Sequence, residues 1–158
     1  MSLATDSIFV AALRSNSELL DILCTSQQSG REVSDPTPRL YGTSIGMPDE
    51  DADNVPVPYC IVTFDGLTNN KGTKDDLYEG PEDSVQIGIE MTARTLDQLH
   101  ELTDMVRTTI HDYLCQNDTP ILDYTFSADK IQYDSLKPCY WQVLMYDCSV
   151  ANTPEDYE

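Results

Sequence analysis

The stretch that decides the fold is Ser84–Leu114, which reads SVQIGIEMTARTLDQLHELTDMVRTTIHDYL. Its first nine residues alternate between apolar and polar or glycine positions, and this period of two is typical of a strand with one buried face. From Leu96 onward the apolar side chains recur with the 3.6-residue period of a helix. Thr95 and Gln98 have the spacing of a capping box, so we predict that the helix begins directly after Thr95. The buried face of this helix is expected to carry Leu96, Leu99, Leu102, Val106, Ile110, Tyr113 and Leu114.

Before this stretch, the chain begins with an apolar stripe that predicts a helix from about Thr5 to Arg14. Asn16 and Ser17 interrupt it and recap a short second helix, residues 18–23. The polar segment 25–38 predicts a loop or flexible excursion, and residues 40–42 predict a short edge strand. Residues 45–58 again have the composition of a loop. The N-terminal part is therefore expected to be mainly helical with one weak strand.

Three further strands are predicted, one before the central stretch and two after it. Residues 59–64 are apolar on both faces, as in a strand covered on two sides. The connection 65–83 is much longer than a tight hairpin needs, which is typical of a functional or mobile arm. Residues 122–128 alternate, and the alternation changes phase near Asp129, which indicates a bulge or turn. The closing strand, residues 139–150, is apolar on both faces and needs cover on both sides.

These elements predict one α+β domain over residues 5–150, followed by an acidic flexible tail at 151–158. We expect a mainly antiparallel sheet of about four to five strands, with the long amphipathic helix and the N-terminal helix packed on one face. The apolar side chains left over on the strands would then need a neighbouring subunit or another partner. The residues expected at such an interface are Tyr59, Ile61, Asp75, Asp76, Tyr78, Glu82, Asp83, Tyr140, Leu144 and Tyr146.

The composition restricts the classes of partner. With 28 acidic and 9 basic residues the net charge is −19, which disfavours binding to DNA or to an anionic membrane and favours basic surfaces. The sequence has no apolar run long enough to span a bilayer, and its first residues do not have the pattern of a signal peptide. The five cysteines are an odd set without a C-x-x-C pair, so we expect reduced, structural thiols.

No motif in the sequence predicts catalysis or a bound metal ion. Asp49–Asn54 begins like a calcium loop, but Asn54 and Cys60 stand where glycine and a bidentate glutamate are needed. His100 and His111 are about 16 Å apart along the predicted helix, too far to share one ion. Cys115 lies one helical turn after His111, so the two side chains are within reach of each other. The acidic pairs at 75–76 and 82–83 have no apolar pocket that would separate their pKa values. We therefore predict no enzyme activity, no cofactor and no metal.

Taken in order, several segments resemble the tail-completion or tail-terminator (minor tail) proteins of long-tailed phages and prophages. The similarity spans roughly residues 5–150 and is carried by element order and by a Pro-Tyr strand start. The segments that carry it are Ile8–Leu13, Asn16–Leu19, Arg39–Gly42, Pro58–Thr63, the strand at 84–92, the helix Leu96–Leu114 and the closing strand with Trp141.

The resemblance implies a structural protein that forms a homo-oligomeric ring, often of six copies, at the head–tail junction. Its partners would be tail-tube and head-closure proteins, and DNA would pass nearby without being bound specifically. It would be found in the bacterial cytoplasm during assembly and then in the virion tail, with no membrane contact. The polar segment 25–38 and the acidic loops 47–55 and 75–83 depart from the family. If those acidic loops lined the bore of a ring, they would repel DNA phosphates.

Two other functions remain open from the sequence. A small acidic adaptor could recognise a basic protein partner through its charged loops. A hydrolase built around Cys115 and His111 would need these side chains to lie together in a cleft.

Overall fold

A computed structural model describes residues 2–28, 31–48, 55–69 and 82–151. A single 3₁₀ turn, Ser2–Ala4, leads into α1 (Thr5–Arg14) and α2 (Ser17–Cys24). Strands β1 (Thr25–Gln28), β2 (Arg31–Ser34), β3 (Leu40–Gly42), β4 (Tyr59–Asn69) and β5 (Glu82–Ala93) precede α3 (Leu96–Gln116). The chain continues with β6 (Ile121–Ala128), β7 (Gln132–Asp134) and β8 (Cys139–Ala151). The α+β prediction is confirmed in its outline.

Both predicted helix starts are confirmed by their caps. The Asn16 side chain accepts hydrogen bonds from the backbone N–H groups of Glu18 and Leu19, which fixes the start of α2. The Thr95 hydroxyl accepts one from the Gln98 N–H at 3.1 Å, and the Gln98 side-chain oxygen accepts one from the Arg94 N–H. These bonds satisfy N–H groups that have no partner within the first turn of a helix. Local sequence therefore sets where α2 and α3 begin.

Within the described ranges the main sheet has six strands rather than four to five. Its order is β3-β4-β5-β8-β6, with β7 also paired to β8. The phase change near Asp129 separates two strands, β6 and β7, which pair in succession with the long β8. All pairs are antiparallel except β3 with β4, which run parallel.

Segment 25–38 is not simply a loop. Its polar residues form β1 and β2, an antiparallel two-stranded hairpin outside the main sheet. The prediction was wrong because pairing in a hairpin is made by the backbone and does not require apolar alternation. The connection after residue 64 is also shorter than predicted. Strands β4 and β5 pair as far as Asn69 and Asp83, with a register shift between Phe64 and Gly66.

The hydrophobic core lies between the main sheet and α1, α2 and α3. Odd-numbered residues of β5 and even-numbered residues of β8 face the helices, because the register aligns Ile87 with Tyr146 and Ile89 with Leu144. The ring of Phe9 on α1 packs 5.2 Å from that of Tyr146. From α3 the core receives Leu99, Leu102, Val106 and Ile110, whereas Leu96 is 40% exposed. Burial of these side chains stabilises the fold by about 25 cal/mol per Å² of apolar surface.

Candidate functional site

The candidate functional site is the open face, the side of the main sheet turned away from the core that contains α1 and α3. The register of β4, β5 and β8 places Ile61, Glu90 and Val143 side by side on this face. Trp141 and Met145 flank Val143 along β8. We call Ile61, Trp141, Val143 and Met145 the apolar strip. All four are half-buried although they lie opposite the core helices.

Glu90 lies in the middle of the apolar strip. Its direct neighbours on the same face are Ile61 on β4 and Val143 on β8. The side chain is partly removed from water, and this desolvation raises the pKa of its carboxyl group. A carboxylate among apolar side chains is poorly solvated, so a cation or a hydrogen-bond donor from a partner would stabilise it.

The two ends of the open face differ. At one end Val55 and Val57 pack against Tyr59 and Cys139 and form a second small apolar cluster. The Lys137 ammonium lies 5.2 Å from the centre of the Tyr59 ring and donates a hydrogen bond to the carbonyl of Val55. The other end is polar and includes Ser84, Gln86, Thr125, Asp147 and Ser149. The apolar strip therefore lies between a covered end and a polar end.

The structure separates the residues expected at an interface into several groups. Ile61 is half-buried on the open face, while Tyr59 on the same face is buried in the second apolar cluster. Tyr140 faces the core side and its ring lies 4.9 Å from that of Tyr133. Leu144 and Tyr146 are at most 1% exposed in the core. These two residues are therefore not presented to a partner.

The acidic residues of the expected interface are also divided. Asp75, Asp76 and Tyr78 lie outside the described residues. Glu82 is exposed at the start of β5. Asp83 is buried, and its Oδ1 accepts a hydrogen bond from the Asn69 side chain at 2.7 Å. Asp83 therefore has a structural role at the end of the β4–β5 hairpin.

On the closing strand, the residues expected at the interface lie on the core face. Residues 139–150 are apolar on both faces, so their periodicity could not show which side the helices cover. The expected interface included Leu144 and Tyr146, whereas Trp141, Val143 and Met145 lie on the open face. The pairing of β8 with β5 would have identified the core side of β8, because β5 has a single apolar face.

A second feature is a groove of about 590 Å³ between α3 and β6. The Tyr124 hydroxyl lies 2.7 Å from Nδ1 of His111, and the thiol of Cys115 lies 3.7 Å from its Nε2. The Arg107 guanidinium stacks 4.2 Å above the centre of the Phe126 ring. The suggested contact between Cys115 and His111 is thus present. The calcium-like segment, Asp49–Asn54, lies outside the described residues.

The five cysteines are all free thiols. Burial raises the pKa of Cys60 to about 12, with a smaller contribution from Glu90, and burial also raises the pKa of Cys148 to about 12. These two thiols therefore remain protonated at neutral pH. Cys115 is the exposed cysteine of the chain.

None of the helices in the described ranges has the length and apolar character needed to cross a bilayer.

Comparison with known proteins identifies no family. No family model matches the chain, and no curated protein matches it. Among solved structures, a chain from the "Virion of native gene transfer agent (GTA) particle" is 12% identical, with 93% of this chain and 94% of that chain covered and a TM-score of 0.49. A protein from Akkermansia muciniphila, solved without its transmembrane region, is 11% identical at a TM-score of 0.22, with 58% of this chain and 46% of that chain covered. Likenesses this distant support no statement about the function of the present chain.

Proposed function

We propose that this chain is a structural assembly protein of a phage or prophage tail. It would act in tail completion or termination, as a ring of copies at the head–tail junction that contacts tail-tube and head-closure proteins. The observation that carries the proposal is the apolar strip on the open face. Half-buried apolar side chains on the helix-free side of a sheet are typical of a surface that packs against another molecule.

The order of elements supports the same proposal. The segments that resemble the tail-completion proteins form α1, the start of α2, β3, the start of β4, β5, α3 and β8. The four strands in this set, β3, β4, β5 and β8, are consecutive neighbours in the main sheet. The segments are thus parts of one folded unit.

In this proposal each copy contacts the next through the open face. Ring formation is a heterologous contact, in which one surface of a copy meets a different surface of the next. The apolar strip would be one of these surfaces. The polar end of the open face would stay in contact with water at the rim of the interface.

The test is the mass of the chain in solution, measured by light scattering over a range of concentrations, together with electron microscopy for rings. Val143→Lys places a charge in the apolar strip and should reduce the oligomer to monomers that keep the native circular-dichroism spectrum. Thr125→Lys is the matched control, because it adds the same charge at the polar end of the same face. A monomer at every concentration, both alone and with isolated tail tubes, would contradict the proposal.

The alternative is a small acidic adaptor that recognises a basic protein. Glu90 favours this function specifically, because its partly desolvated carboxylate would pair with a lysine or arginine of the partner. Binding of a basic partner to a monomer, abolished by Glu90→Gln and unaffected by Val143→Ala, would support the adaptor over the ring.

A further inference from the structure

The pair Cys115 and His111 on α3 has the geometry of two ligands to one metal ion. The two residues are four apart, so they occupy successive turns on the same helix face. Their ligand atoms, Sγ and Nε2, are 3.7 Å apart. Zn–S and Zn–N bonds of about 2.3 and 2.0 Å at a tetrahedral angle require a separation of about 3.5 Å. A zinc ion would therefore need only a small movement of either side chain.

The other nitrogen of His111 already has the partner that a metal ligand needs. Nδ1 lies 2.7 Å from the Tyr124 hydroxyl. When Nε2 binds a metal, Nδ1 carries the proton and donates it to an oxygen, which fixes the orientation of the ring. The oxygen of a phenol hydroxyl can accept this bond.

Two features of the surroundings favour a cation at this position and oppose the positive charge of Arg107 in the same groove. Cys115 lies in the last turn of α3, which ends at Gln116 and carries no basic residue there. The C-terminal end of a helix has a partial negative charge that stabilises cations. The chain as a whole has a net charge of −19, which attracts cations further.

We propose that Cys115 and His111 bind a borderline-soft divalent cation such as Zn²⁺, with Tyr124 as the positioning residue for the histidine. On binding, the Cys115 thiol loses its proton to solvent, the S–Zn and N–Zn bonds form, and four of the six waters of the hydrated ion leave, so that two remain. No third His, Cys, Asp or Glu joins the pair among the described residues. The remaining two positions of a tetrahedral ion are thus open to water or to ligands from another molecule.

The experiment titrates the reduced, metal-free chain with Co²⁺, whose absorption reports both thiolate ligation and tetrahedral geometry. We expect one Co²⁺ per chain, a sulfur-to-cobalt charge-transfer band, and displacement by Zn²⁺. Cys115→Ser should abolish the charge-transfer band, and His111→Asn should weaken the visible bands and the affinity. Tyr124→Phe should keep the spectrum and weaken binding about tenfold.

The matched controls are Cys24→Ser and His100→Asn, which remove another accessible thiol and the other exposed histidine of α3. Neither should change the spectrum. A charge-transfer band that persists in Cys115→Ser, or an affinity unaffected by His111→Asn, would overturn the proposal.

A second measurement needs no variant. Zn²⁺ should slow the alkylation of Cys115 in the unaltered chain, measured by mass spectrometry of the peptide that contains it. Equal alkylation rates with and without Zn²⁺ would also overturn the proposal. These outcomes do not depend on ring formation, so failure of this proposal would leave the tail-assembly proposal standing.

Discussion

The side chain of Arg39 joins several segments that are separate in the sequence. It is 4% exposed, and its guanidinium donates to the carbonyls of Pro58 at 2.9 Å and Thr25 at 2.7 Å, and to the carboxylate of Asp35. Burial lowers the pKa of Arg39, and the charge of Asp35 opposes this effect. The planar guanidinium thus connects the β1–β2 hairpin, the segment before β3 and the segment before β4.

Replacement of Arg39 should therefore destabilise the fold. Arg39→Met keeps most of the volume but leaves the Pro58 and Thr25 carbonyls without a donor, and we expect a loss of about 2–3 kcal/mol in the free energy of unfolding. Arg39→Lys should recover only part of it, because an ammonium cannot donate in three fixed directions. Urea denaturation measures the free energy of unfolding of both variants. Arg14→Met, at an exposed position on α1, is the control and should change the stability little. A stability of Arg39→Met equal to that of the control would contradict this role.

The raised pKa of Glu90 predicts that the stability of the fold depends on pH. Its carboxyl pKa is raised by desolvation in the folded chain, so the folded state binds a proton more tightly than the unfolded state. As pH rises from the ordinary glutamate pKa through the raised folded value, the folded state loses stability. Glu90→Gln should therefore be the more stable protein at pH 7, by a few tenths of a kcal/mol because solvent screens this half-exposed group.

The gain from Glu90→Gln should disappear below the ordinary pKa of glutamate, since the native carboxyl is then neutral in both states. Thermal unfolding at several pH values gives the comparison. Glu101→Gln, exposed on α3, is the control, and its stability relative to the unaltered chain should not change with pH in this way. A gain that stays constant with pH would mean that desolvation is not its cause.

Among the elements, α3 depends on the cap at its start. Thr95→Ala removes the hydroxyl that accepts the Gln98 N–H, and we expect a loss of about 1 kcal/mol in stability. Thr95→Ser should restore most of it because the accepting oxygen is kept. Thr108→Ala makes the same chemical change on the exposed face of the same helix. Chemical denaturation should rank Thr95→Ala well below Thr108→Ala, and equal stabilities would exclude the cap as the cause.

The parallel pairing of β3 with β4 depends on a glycine. A Cβ at Gly42 would overlap the backbone carbonyl oxygen of Val62, so one of the two strands would have to move. At Gly88 the same atom would meet the Asp65 side chain at 2.5 Å, which can rotate away. We expect Gly42→Ala to cost about 2–3 kcal/mol and Gly88→Ala clearly less. Denaturant midpoints of the two variants give the comparison. If Gly88→Ala were less stable than Gly42→Ala, the role assigned to Gly42 would be contradicted.

The elements differ in how well their structure can be predicted from the sequence. The stretch 84–116 was predicted closely because one apolar face, a cap and a change of period all agree in it. The β1–β2 hairpin was missed because its side chains are polar and its pairing is made by the backbone. The interface residues expected on β8 were chosen on its core side because alternation identifies two faces but not which one the helices cover. The contact between His111 and Tyr124 joins α3 to β6 and depends on tertiary packing, which local patterns do not contain.

At the scale of the whole molecule, the net charge of −19 gives the two proposed functions opposite dependences on salt concentration. Copies of the same acidic chain repel one another, and salt screens this repulsion over a distance of about 10 Å at 0.1 M. A ring held by the apolar strip should therefore be strengthened when NaCl is raised from roughly 0.05 to 0.5 M. A complex with a basic partner should be weakened over the same range, because salt screens an attraction.

Sedimentation velocity at several salt concentrations measures the sign of this effect. If the chain assembles with itself, we expect a larger mean mass at high salt, and Val143→Lys should remain small at every salt concentration. Thr125→Lys, which changes the net charge by the same amount, should behave like the unaltered chain with slightly easier association. Self-association that weakens as salt is added would show that the contact is electrostatic and does not use the apolar strip.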